Sequence, residues 1–275
     1  VPDSGLATEK PVFLADFGCR SVGGQQKNQS LKEGVICYGR RTFLLNLPKY
    51  HLNIRTLMLM TKKQAIAIIT KCAKQYQQYL EGNQVVFVYR DENNKSNHTA
   101  VRFHSHNFLH FTGVTPRTGM NANGFYRAAL NNRLSENDFS FKSNHTTELK
   151  LKVLGIIMSM DTSARMIGNY TGPHLELYTE KVTGTTTACL GLIQSKDCYI
   201  PNSVLSEDIR SIVPKPPGKI FAIFKKPIGA PLYTQLTYKS KNISITKKCL
   251  PKELLTEVDT SLLEDNNNSD DNEPA

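Results

Sequence analysis

The sequence predicts one α+β domain between residues 60 and 245, in which helices back an antiparallel sheet. In the first half of this region, apolar residues recur at steps of three and four, which is the period of an amphipathic helix. In the second half, short runs rich in β-branched and aromatic residues are separated by glycine or proline. Helices first and strands later are typical of the α+β class.

The first predicted element is a helix over residues 61–80. Thr61 can cap its first turn, and Gln64 three residues later completes a capping-box pattern. Apolar and aromatic residues form one stripe along this helix: Ala65, Ile68, Ile69, Cys72, Tyr76, Tyr79 and Leu80. Gly82 is well placed to end the helix.

A hairpin and a short helix are predicted next. Residues 85–90 and 99–104 alternate as two strands around a polar turn, so Arg102 and His104 should point away from the core. The helix is predicted over residues 105–113, capped by Ser105 and ended by Gly113.

The remaining elements are two helices followed by five strands. Apolar periodicity predicts helices over residues 121–134 and 147–160. The predicted strands cover residues 165–170, 175–180, 185–194, 219–225 and 232–238. In the strand 185–194, Thr185 and Thr187 would share one face with Cys189.

The two ends of the chain differ from this domain. Residues 1–59 show little sustained periodicity, and we interpret them as a leader of doubtful order or an over-extended reading frame. The alternative is a basic arm that helps to grip nucleic acid. Residues 246–275 are rich in acids and asparagine, which predicts a largely disordered tail.

The charge of the chain is unevenly distributed. Residues 251–275 carry a net charge of −7 from eight acids and one base. Since the whole chain carries +10, the preceding 250 residues carry +17. Such a basic domain should attract polyanions, and nucleic acid is the first candidate. The alternative is that the charge only keeps the domain soluble.

Several classes of site find no support in the sequence. The six cysteines form no CxxC pair, which argues against a zinc ribbon. Asp161 and Asp197 have no second aspartate within two positions, so a metal-dependent nuclease built on paired aspartates is not expected. We therefore expect neither a metal nor a cofactor. The chain opens with no signal peptide and contains no 18-residue apolar run, so we expect a cytoplasmic protein without a membrane span.

Four histidines lie within thirteen residues, and they are the first candidates for chemistry: His98, His104, His106 and His110. His110 is distinctive because it sits between apolar Leu109 and Phe111. An imidazole titrates near neutrality and can act as general acid or base. RNA carries its own nucleophile, the 2′-hydroxyl, so its cleavage needs only proton transfer and charge stabilisation. Alternatively, His110 is a core-edge histidine bonded to a backbone carbonyl.

Two further segments are candidates for binding. The segment 184–191 has a glycine at each end, where a ligand backbone could approach closely, although its composition equally fits an ordinary strand. The segment 220–226 ends in Lys225 and Lys226, which fit either phosphate contacts or the protection of a sheet edge.

The order of several short motifs resembles a known family. These motifs are Asn107-Phe-Leu-His-Phe-Thr-Gly113, Ile167-Gly-Asn-Tyr170, Gly184-Thr-x-x-x-Cys-Leu-Gly191, Tyr199-Ile-Pro-Asn-Ser203 and Ile223-Phe-Lys-Lys226. Over about residues 62–239 the chain resembles the fourth family of phage-encoded Barnase-EndoU-Colicin-RelE-like nucleases.

This resemblance implies a metal-independent ribonuclease with N-terminal helices packed on a four- to five-stranded antiparallel sheet. It implies that His110 is the general acid or base, that Lys225 clamps the phosphate, and that Thr185 and Tyr238 orient it. Around them, the residues expected to bind substrate are Arg102, His104, Lys226 and Thr187.

Two alternatives to a ribonuclease stay open at this point. One is a catalytically inactive nucleic-acid-binding module, and the other is a protein-interaction or inhibitor protein. As a nuclease, the protein would belong to a phage or mobile element and would act on RNA as a toxin or effector, with an immunity protein as a further partner.

Overall fold

The computed structural model describes residues 60–172 and 178–264. The predicted leader, part of the predicted strand 175–180 and the last eleven residues of the predicted tail lie outside these ranges. Among the helices that the structure describes, none combines the length and the apolar character needed to cross a membrane.

The first helix, α1 (Lys62–Tyr79), confirms the capping-box prediction. Thr61 Oγ1 accepts a hydrogen bond from the Gln64 amide at 3.2 Å, and Gln64 Oε1 accepts one from the Thr61 amide at 2.9 Å. The ring of Tyr76 is fully buried and meets Phe111 and Tyr126 edge-on, with both centroid distances at 5.7 Å. The apolar stripe of α1 therefore anchors the next two helices.

Four further α-helices occur in the described ranges: α2 (Asn107–Thr112), α3 (Ala122–Leu130), α4 (Thr146–Ile157) and α5 (Met160–Ser163). Gly113 ends α2 with a left-handed φ of +69°, as its position predicts. The predicted helix 121–134 is too long, because the chain turns at Asn132 with a φ of +54°. The predicted helix 147–160 divides into α4 and α5.

The described strands are β1 (Asn83–Arg90), β2 (Ser96–Arg102), β3 (Thr115–Pro116), β4 (Phe139–Ser140), β5 (Met166–Asn169), β6 (Lys181–Gly184), β7 (Cys189–Ser195), β8 (Cys198–Leu205), β9 (Gly218–Pro227) and β10 (Gln235–Lys239). Eight of them form one sheet in the order β1-β2-β8-β7-β6-β5-β9-β10, and β3 pairs with β4. Because β1 also pairs with β9, the strands from β1 to β9 in this order form a closed circuit. All pairings are antiparallel except the one between β2 and β8, where Val101 lies opposite Tyr199.

The sheet corrects the expected number of four to five strands. β8 is not among the predicted strands; Pro201 interrupts its sequence, and a proline argues against an interior strand. The structure accommodates Pro201 beside an irregularity: it lies opposite Leu192, and the next pair joins Gly191 to Ser203 and skips one residue.

The predicted strand 185–194 begins only at Cys189. Residues 185–188 form the turn between β6 and β7, so the prediction that Thr185 and Thr187 share a strand face with Cys189 is wrong. The Thr185 hydroxyl accepts hydrogen bonds from the amides of Thr187 at 3.1 Å and Ala188 at 3.3 Å. These local bonds from a threonine side chain override the β-propensity of the segment.

The sheet is covered on both faces. The five helices bury one face, and the opposite face of β1 and β9 packs under residues 245–264, where Leu254 and Val258 are 1% and 2% exposed. The folded part therefore continues past residue 245. Residues 246–264, which were predicted to begin a largely disordered tail, belong to it. Apolar residues spaced at 250, 254 and 258 explain this docking, since they bury a stripe despite the acidic composition.

Candidate active site

His110 lies on α2, which is fixed in place at both ends. At the first turn, the Asn107 side-chain amide donates to the Pro201 carbonyl of β8 at 3.3 Å. At the last turn, the Thr147 hydroxyl of α4 donates to the Gly113 carbonyl at 2.7 Å. The apolar neighbours that marked His110 in the sequence turn inward, with Phe111 fully buried, and the imidazole stays exposed.

Lys150 of α4 connects α2 to β8. Its ammonium donates to the backbone carbonyl of His110 at 3.1 Å and to Ser203 Oγ at 2.9 Å. Ser203 is 1% exposed, so its hydroxyl is a fixed acceptor. An ammonium has three donors, and these bonds use two. No carboxylate in the described ranges forms an ion pair with Lys150.

The electrostatics of this site suit proton transfer near neutral pH. Burial, with a smaller effect of Lys142, lowers the pKa of Lys150 from its usual 10.5 to about 8. Partial burial of the His110 ring, followed by the nearby charges of Lys150, His106 and Lys142, lowers the pKa of His110 below its ordinary value. At pH 7 His110 is therefore mostly a neutral base, beside a lysine that is still mostly charged.

His104 and Arg102 lie beside the start of α2. The His104 ring stacks on that of His106, with centroids 5.4 Å apart and an angle of 7° between the planes. Arg102 is already engaged: it donates to Asp197 at 2.7 Å and to Gln84 at 2.7 Å.

Lys225 and Lys226 are both held in ion pairs. Lys225 Nζ lies 2.8 Å from Oδ2 of Asp161, whose side chain is 2% exposed, and donates to the Tyr79 carbonyl at 3.2 Å. Lys226 Nζ lies 2.9 Å from Glu257 and is buried. Neither ammonium is open to a phosphate in this arrangement, so neither enters the site that we propose.

Arg165 contacts Tyr238 through its side chain and the residue before Thr185 through its backbone. The Arg165 guanidinium lies 3.8 Å from the centroid of the Tyr238 ring, and the Arg165 amide donates to the Gly184 carbonyl at 3.0 Å. Among the contacts of the described residues, none joins this group to His110. Thr187 is exposed in the same turn as Thr185. The convergence of the four predicted catalytic residues on one site stays a prediction.

A comparison with models of protein families identifies the family of this chain. The model of the family described as phage-Barnase-EndoU-ColicinE5/D-RelE like nuclease 4 (PBECR4) matches residues 68–242. The chain belongs to the PBECR4 family. This confirms the resemblance and makes the protein nuclease-like. No curated protein and no solved structure matches the chain.

The PBECR4 match includes two residues of the site that sequence reasoning missed, Lys150 and Ser203. Ser203 had a signal, because it closes the motif that begins at Tyr199. Lys150 had none, since a lysine on an amphipathic helix is usually solvated. On α4, Leu149 is exposed, whereas Leu151 and Leu154 are buried.

Within residues 60–172 and 178–264, no three His, Cys, Asp or Glu side chains come together in a way that could hold a metal ion. The candidate site itself contains an imidazole, an ammonium and a hydroxyl.

Proposed function

We propose that the protein is a metal-independent endoribonuclease in which His110 and Lys150 act on the scissile phosphate. The observation that carries this proposal is the position of Lys150, which bonds to the His110 carbonyl and to Ser203 and has no described acidic partner. A cation that has no acidic partner among the described residues, next to an exposed imidazole, fits an anionic substrate. Membership of a nuclease-like family makes a phosphodiester the natural choice.

In the proposed reaction, the 2′-oxygen of RNA attacks the adjacent phosphorus. His110 takes the proton of the 2′-hydroxyl as general base, and its imidazolium can then protonate the departing 5′-oxygen. The P–O2′ bond forms and the P–O5′ bond breaks, which gives a 2′,3′-cyclic phosphate and a free 5′-hydroxyl without any co-reactant. The third N–H of Lys150 stabilises the negative charge that develops on the phosphorane oxygens.

A nucleic acid as the substrate is supported by the +17 charge of residues 1–250, and the proposed reaction selects RNA because it uses a 2′-hydroxyl. We further propose that the protein originates from a phage or mobile element and acts as a toxin or effector. Such a role would require an immunity protein in the producing cell.

The direct test is incubation of the purified full chain with single-stranded RNA in EDTA. We expect cleavage under these conditions, with 2′,3′-cyclic phosphate ends identified by mass spectrometry. His110→Ala should lower the rate by about a hundredfold or more, because a lost acid–base group typically has that effect.

His145→Asn is a matched control, since it removes another exposed imidazole at a positive φ that asparagine tolerates. Cleavage only after a divalent metal is added would contradict the proposed mechanism. Salt-sensitive RNA binding without any cleavage would favour the inactive binding module instead.

The pH dependence of cleavage gives a second test. As the pH is increased, kcat/KM should first rise while His110 loses its proton, because the pKa of His110 lies below the ordinary value of 6.5. It should then fall near pH 8, where Lys150 loses its charge. A lowered lysine pKa means that the charge is lost at lower pH than usual, so the alkaline limb falls within the measurable range. In Lys150→Arg the guanidinium stays charged, and the alkaline limb should move upward whatever the absolute rate. An alkaline limb that stays at the same pH in Lys150→Arg would assign it to another group.

A further inference from the structure

A second group of polar and aromatic side chains shares no contact with His110 among those of the described residues, and we name it the Lys181 cluster: Lys181 of β6, Thr99 of β2, Tyr89 of β1, which bonds to Thr99, and Tyr199 of β8. Lys181 Nζ donates to Thr99 Oγ1 at 3.3 Å and lies 5.0 Å from the centroid of the Tyr199 ring. Thr99 is 2% exposed, and the other three side chains are partly exposed. Four strands therefore bring these groups together.

The charge of Lys181 has no ionic partner in the part of the chain that the structure describes. Glu180 precedes it, but the Glu180 oxygens accept from the Tyr178 hydroxyl and the Gln194 amide. Burial lowers the pKa of Lys181, which shows that its charged form is disfavoured there. A partly buried charge without an ionic partner destabilises the fold, so the position of Lys181 is better explained by binding of an anionic ligand than by a contribution to stability.

The neighbours of Lys181 define the kind of anion that it would bind. Burial raises the pKa of both Tyr89 and Tyr199, so these phenols remain neutral and do not repel a phosphate. The ammonium lies over one face of the Tyr199 ring, so a base would stack on the opposite face. A cation next to an aromatic ring is the usual combination for binding single-stranded nucleic acid, in which the phosphate meets the cation and the base stacks on the ring.

We propose that the Lys181 cluster is a second RNA subsite, which holds a nucleotide outside the scissile linkage with its phosphate on Lys181 and its base on Tyr199. This inference rests on the proposed function. The two sites share strand β8, where Tyr199 and Ser203 are separated by about 13 Å at the usual rise per residue. At this spacing we assign the two sites to different nucleotides of one strand.

The test compares substrates of two lengths and measures binding separately from cleavage. In the full chain carrying Lys181→Met, kcat/KM for an oligoribonucleotide of about twelve nucleotides should fall roughly tenfold relative to kcat/KM for a dinucleotide, in line with a lost stacking and phosphate contact. In a His110→Ala background, fluorescence anisotropy should show weaker binding of the same oligoribonucleotide, and the slope of log K against log salt should fall by about one.

Companion variants separate this subsite from a general effect of charge or folding. Lys219→Met removes an exposed lysine of β9 and should change the length ratio much less. Lys181→Arg should retain most of the binding, and so should Tyr199→Phe, which keeps the aromatic surface, whereas Tyr199→Leu should lose it. If Lys181→Met does not fold, Lys181→Arg, Tyr199→Phe and Tyr199→Leu still test the subsite.

Two outcomes overturn the subsite. One is oligoribonucleotide binding that Lys181→Met leaves unchanged, and the other is an equal loss of cleavage for both substrate lengths. Failure of the proposed function looks different, because the wild-type chain would then cleave neither substrate, while loss of binding in Lys181→Met would still support the subsite.

Discussion

Lys150→Met is expected to reduce RNA cleavage by roughly a hundredfold to a thousandfold, the usual effect of removing one donor that stabilises a transition-state charge. Methionine retains the length of the side chain, so the packing of α4 against β8 changes little. The substitution removes a partly buried charge and two hydrogen bonds together, and these effects on stability oppose each other. We therefore expect thermal unfolding near the wild-type temperature, with cleavage measured on the same preparation.

Lys152→Met supplies the matched control for this result. Lys152 lies two residues later on α4 and is exposed, so its substitution removes the same charge from the same helix without affecting the site. Cleavage by Lys150→Met at the wild-type rate would remove Lys150 from the mechanism. Loss of activity in both variants would indicate that only the total positive charge matters.

Features of the fold that depend on local sequence were predictable. The capping box at Thr61 and Gln64 and the left-handed glycine that ends α2 both involve residues within one helical turn. The turn at Thr185 shows the limit of this approach, because a run of threonines favours a strand by propensity and also supplies hydroxyls that can close a turn. Pro201 shows the opposite case: its residue type argues against a strand, yet it lies in one. The irregularity that accommodates it involves the neighbouring strand β7, which the local sequence does not reveal.

The candidate site was predictable only in part, for a related reason. His110 was found because its chain neighbours are apolar and its side chain is not. Lys150 was missed because the groups that define its environment are distant in sequence: the Ser203 hydroxyl is 53 residues away. A single sequence shows a lysine on a helix, and only the fold shows that it has no acidic partner within residues 60–172 and 178–264.

The same limit affected Lys225, which a sequence pattern cannot distinguish from a phosphate-binding lysine. Its partner Asp161 is 64 residues away and nearly fully buried. Substitution of a lysine in a buried ion pair should lower stability, whereas substitution of a phosphate-binding lysine should lower cleavage. An experiment can therefore distinguish the two roles.

Lys225→Met is expected to lower the free energy of unfolding by about 3–5 kcal/mol, because it leaves the Asp161 carboxylate buried without its partner. Urea unfolding at neutral pH measures this loss. The double variant Asp161→Asn/Lys225→Met should recover much of it, since both charges are then absent and the coupling between the two sites is removed. Lys239→Met is the control for an exposed pair: Lys239 and Glu264 are 2.6 Å apart but about two-fifths exposed, so we expect little change in the free energy of unfolding.

The two lysines should therefore respond in opposite ways. Lys150→Met should lose cleavage and keep its stability, whereas Lys225→Met should lose stability and keep cleavage at temperatures where it remains folded. If Lys225→Met instead unfolded like the wild type and no longer cleaved RNA, the phosphate-clamp role implied by the family resemblance would be restored. In that case the Asp161 ion pair would have to open when substrate binds, and the same variant would bind RNA more weakly at low salt.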